Sequence, residues 1–121
     1  MKKLALTLLA LTLAGSPALA GLKVIGEGDN RTFDASAFPP DRQASFKVME
    51  VKCAVASCHA MGRTVEAIYT GTAPISQTPF DKNAAKQYGV KMMRMPNSGI
   101  DKTLAKELVA LMYFLIDESG R

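Results

Sequence analysis

Both cysteines and the single histidine of this chain fall within seven residues, Cys53-Ala-Val-Ala-Ser-Cys58-His59. That crowding constrains the fold more than any other feature, because the chain has little else to hold a small domain together. With 121 residues there is room for one domain. The first residues read as a leader. Met1-Lys2-Lys3 is a positive n-region, and Leu4 to Ala14 is apolar apart from threonines. Ala18 and Ala20 are the small residues a signal peptidase reads. Cleavage is expected after Ala20, making 1–20 a signal peptide and the periplasm the destination. The apolar stretch is about half the ~20 residues a spanning helix requires, so no stable membrane insertion is expected. About 100 residues remain, without tryptophan, a core small enough to need a staple, a metal or a cofactor.

The formal net charge is +4, and setting aside Lys2 and Lys3 of the leader leaves +2. There is no basic run, so a nucleic-acid partner is not expected.

Residues 21–40 are rich in Gly, Asp, Asn and Pro and read as an irregular arm, with one short strand over Leu22-Lys23-Val24-Ile25. The domain proper is expected over 41–121. Phe46, Met49 and Cys53 share one face of a helix capped by Asp41 and running to about Lys52. A second short helix passes through Val65, Ile68 and Tyr69. Thr70 to Pro79 reads as loop. Asp81 caps a helix to Tyr88, with Gly89 as the left-handed residue that closes it. Val90 to Gly99 reads as loop, because Pro96 drives Met95 out of the α region. From Asp101, Leu104, Leu108, Leu111, Met112 and Leu115 recur at threes and fours, marking an amphipathic helix to about Asp117. The expected class is all-α.

What joins Cys53, Cys58 and His59 is the next question. A disulfide is the ordinary fate of two cysteines in an exported chain. However, positions five apart in a continuous helix exceed the ~7 Å Cα separation that a disulfide allows. A bridge would also close too short a loop to stabilise much. Structural zinc requires four ligands, and adjacent Cys58 and His59 cannot easily face one ion. A Cys/His nucleophile pair lacks an orienting third group. Covalent haem uses all three residues. Cys53 and Cys58 would form thioethers, and His59, directly after the second cysteine, would be the proximal iron ligand. The usual gap of two residues is four here, Ala54 to Ser57, all small or compact.

With one histidine, the sixth ligand falls to a methionine. Met61 is too close to His59, and Met112 belongs on the apolar face of the last helix. Met95 is favoured because Pro96 fixes the backbone beside it, with Met92 the runner-up and Met93 third. The competing role for this cluster is to fill gaps in the core.

The order of helix, Cys53…Cys58-His59, Met95-Pro96 and C-terminal helix resembles class I c-type cytochromes, roughly from Asp41 to Asp117. It is similar to the small monohaem periplasmic cytochromes. The resemblance implies a cytochrome c-like fold around one covalent haem c. It also implies an electron carrier, not an enzyme, whose partners are other redox proteins. The family's glycine eight before the first cysteine is Ser45 here, and its aromatic four before is Met49. Phe114, or else Tyr113, would supply the aromatic of the last helix that packs on the first. Pro74 or Pro79 would offer a carbonyl to His59, and Arg63 could face a haem propionate. Lys47, Lys52, Lys82, Lys86, Lys91 and Lys102 would form a basic rim. Two other readings stay open: a haem-based ligand sensor or small haem enzyme, and a haem-free binding module closed by a Cys53–Cys58 disulfide.

Overall fold

A computed structural model describes residues 21–53 and 61–120. The expected leader, Cys58 and His59 lie outside them, as does the side chain of Cys53. The described chain is mostly helical, with one two-stranded sheet. β1 is Val24–Ile25 and β2 is Thr32–Phe33, paired antiparallel with Val24 opposite Phe33. Four helices follow: α1 Pro40–Cys53, α2 Met61–Thr70, α3 Lys82–Arg94 and α4 Lys102–Glu118.

The core forms around α4. Leu108, Leu111, Met112 and Leu115 are fully buried, each contributing roughly 1.5–3 kcal/mol of transfer free energy. They meet Phe46 and Met49 of α1 and Val65 and Ile68 of α2 in one apolar cluster. Asp101 caps α4 as expected, its carboxylate accepting from the Leu104 N–H at 2.8 Å. The 21–40 segment is less of a free arm than its composition implies. Leu22 and Phe33 are buried in the common core, and the hairpin packs on α2. β2 escapes the sequence because two residues carry no period.

α1 starts two residues earlier than a cap at Asp41 implies. Pro40 occupies the first helical position, where its missing N–H costs nothing. The Pro39 carbonyl accepts from the Gln43 N–H, so Asp41 lies inside the first turn and is not the cap. On the next turn Ser45 is buried. Its hydroxyl donates to the Asp41 carbonyl at 3.1 Å or to Glu107 of α4 at 2.9 Å. Phe114 of α4 packs edge-on against Phe38, just before α1, and lies under the Arg42 guanidinium. The expected aromatic contact therefore falls at the mouth of α1.

α3 departs most from expectation. Asp81 caps it, accepting from the Ala84 N–H at 2.9 Å. Gly89, however, is buried within the helix and has no positive φ. A Cβ there would meet the Val109 methyl of α4, so this glycine is needed for close helix approach, not for a turn. α3 thus continues to Arg94 through Met92 and Met93, which were expected in a loop. Pro96 ends it as expected: Met95 is the C-cap, extended at φ −67° and ψ 129°. Asn97 and Gly99 then take left-handed geometry, at φ 60° and 65°, and turn the chain into α4.

Candidate functional site

The sequence motif straddles two helices. Cys53 is the last residue of α1, and α2 opens at Met61, two residues past His59. The chain after α3 returns to this end of the molecule. The Lys52 ammonium lies 2.9 Å from where a Cβ of Gly99 would stand. The loop that follows Met95 is therefore a neighbour of the end of α1.

The described methionines divide by packing. Met49, Met61 and Met112 are buried, and Met92 and Met93 pack half-buried against the core. Met95 is 44 % exposed and lies outside that cluster.

A cleft of about 320 Å³ opens between α2 and α3. One wall is Arg63, Thr64 and Ala67, a single side of α2 from its first turn onward. Tyr88 and Lys91 of α3 form the opposite wall. Met95 follows Lys91 by four residues, one turn further along the same side. Phe80 and the loop carrying Pro74 and Ile75 close the third side. That loop is braced from within. The Ala73 N–H donates to Thr78 and the Phe80 N–H to Gly71, at 2.9 and 2.8 Å. Pro74, one of two residues expected to serve His59, has a carbonyl that already accepts from the Gln77 amide at 2.7 Å. Ile75 at the loop's outer edge is 74 % exposed.

The cleft is apolar in its walls and cationic at its lips. Arg63 and Lys91 are exposed, and neither takes part in a salt bridge among the described residues. No aspartate or glutamate lines it. Thr64 is 4 % exposed, and among the described residues its hydroxyl is the buried side-chain polar atom without a hydrogen-bond partner. Of the expected basic rim, Lys82 is engaged elsewhere, with Asp117 at 2.7 Å and over the Tyr113 ring. Sequence reasoning missed Thr64, Phe80 and Tyr88. It also put Tyr69 on the core face of α2, where Tyr69 is in fact exposed and Ala67 is buried.

Among the described residues, no group of three or more His, Cys, Asp or Glu could hold a metal ion, and no helix is long and apolar enough to cross a membrane. No family model, no curated protein and no solved structure matches this chain.

Proposed function

We propose that the protein is a periplasmic electron carrier with one c-type haem, bound through Cys53 and Cys58 and ligated by His59 and Met95. The motif Cys53…Cys58-His59 is the chemical basis of this reading. The observation that carries it is the partition of the methionines. Met95 is the candidate whose thioether is not spent on the core, and the loop after it borders the helix that ends in Cys53. The cleft supports it as well. A porphyrin is a flat apolar ring edged by carboxylates, and the walls are apolar with cations at the lips.

When bound, the haem supplies a one-electron couple. The protein's own residues then have three tasks. His59 and Met95 would hold the iron. Phe80, Ala67 and Tyr88, which line the cleft, would exclude water from a ring seated there. Arg63 and Lys91, which line the cleft, would offset the haem's carboxylate charge and give an acidic redox partner a basic approach.

The test is the spectrum of protein made with a haem-ligation system. Covalent haem should survive acid–acetone extraction, and the oxidised protein should show a thioether-to-iron charge-transfer band that persists under carbon monoxide. Met95→Ala should abolish the band, whereas Met92→Ala and Met93→Ala should retain it. A band that survives Met95→Ala overturns the ligand assignment, and extractable haem overturns the function.

A further inference from the structure

Gly62 lies in the first turn of α2, three residues after His59, and is buried there without a positive φ. Alanine would serve a helix better, so a neighbour must account for the glycine. A Cβ at Gly62 would stand 2.5 Å from the Gly28 carbonyl oxygen and 3.0 Å from the Asp29 Cα. Both are backbone atoms of Gly28–Asn30, the turn between β1 and β2, not the ends of flexible side chains. Arg31 ties the same turn to the same helix. Its Nε donates to the Gly28 carbonyl at 2.9 Å. Its Nη2 donates to the carboxylate of Glu66, one helical turn past Gly62, at 3.1 Å. The hairpin also meets α1. The Thr32 hydroxyl donates to the Glu50 carboxylate at 3.4 Å, and Phe33 packs on Phe46. Glu50 is three residues before Cys53, where α1 ends. α2 packs more closely on this hairpin than on any helix. The hairpin therefore touches both helices that flank the motif, α1 near its end and α2 at its start.

We propose that the β1–β2 hairpin is a strap that sets the separation between the end of α1 and the start of α2, and through it the placing of His59 against the iron. Arg31 and Gly62 are its positioning residues. The strap stands on contacts outside the motif, whereas its effect on the iron rests on the haem reading above. A partly exposed ion pair such as Arg31–Glu66 adds little stability, so its loss should show in local geometry more than in global folding.

The experiment uses the mature protein made with a haem-ligation system, with Arg31→Gln, Glu66→Gln, their double variant and Gly62→Ala. Circular dichroism checks folding; should Gly62→Ala not fold, the Arg31 and Glu66 variants carry the test. Each single variant should quicken amide exchange over residues 65–67 of α2, for the Arg31–Glu66 pair by up to about fivefold. Exchange over residues 108–112 of α4 should stay unchanged. The low-spin EPR signal of the oxidised protein, which reads the orientation of the iron ligands, should move in the same sense in Arg31→Gln and Glu66→Gln, and the double variant should match either single. An effect of charge alone would instead shift the reduction potential in opposite directions in the two singles and cancel in the double. The proposal is overturned if exchange in the two helices changes alike, if the EPR signal is unmoved in the folded haem protein, or if the charge pattern is found. If no covalent haem is present, the electron-carrier reading fails by itself, and exchange in the haem-free chain decides the strap alone.

Discussion

α3 has two unlike sides. Toward α4 it is closed by shape: Ala85 is fully buried, and Gly89 brings the backbone so close that Val109 fills the space a side chain would need. Toward α2 it is open. Tyr88 is half-buried, and Lys91 and Met95 are exposed. One helix thus carries both the tightest joint of the fold and one wall of its cleft. The closed side fixes where α3 lies, and the open side leaves Lys91 and the Met95 thioether exposed.

Substitutions on the two sides should therefore behave oppositely. On the closed side, Leu111→Ala empties a fully buried site and should destabilise the folded protein by about 2–5 kcal/mol in chemical denaturation. Gly89→Ala comes next. Alanine favours a helix by about 1 kcal/mol, but the new methyl must displace Val109, whose branched side chain is stiff at χ1. A net loss of about 1–3 kcal/mol is expected. Pairing it with Val109→Ala should recover part of that loss in a double-mutant cycle, and strict additivity would refute the contact. Asp101→Ala removes the cap of α4, for about 1 kcal/mol. Lys82→Ala breaks an exposed pair with Asp117 and should cost well under about 1 kcal/mol. On the open side, Arg63→Gln and Ile75→Ser should change the stability of the ligand-free chain by less than about 0.5 kcal/mol. A large loss there would mean that the cleft is part of the joint.

The same contrast shows what could be read from residues alone. α4 was legible with its cap and nearly its end, because apolar positions at threes and fours follow a short acidic residue and precede no competing signal. Pro96 was read correctly as the stop after Met95, since its ring acts locally. Gly89 was misread for the opposite reason. A glycine that ends a helix and one that admits a neighbouring helix look alike until the neighbour, here Val109, is in view. Extending α3 through Gly89 moved Met92 and Met93 out of a loop and onto the core, which separated them from Met95. Asp41 lost the cap to Pro39 because two consecutive prolines start the helix earlier than the acidic residue signals. The cleft was not legible as a place, since Thr64, Phe80 and Lys91 come together only through the fold. Of its residues, Arg63, Pro74 and Lys91 had drawn notice, each for a role of its own.

The most direct test of the central claim is the intact mass of the mature protein after production with a haem-ligation system. The expected mass is that of the chain plus one haem, with the cofactor retained under denaturing conditions because both Cys53 and Cys58 are thioethers. A mass equal to the polypeptide alone, or to the polypeptide less two hydrogens for a Cys53–Cys58 disulfide, would contradict it.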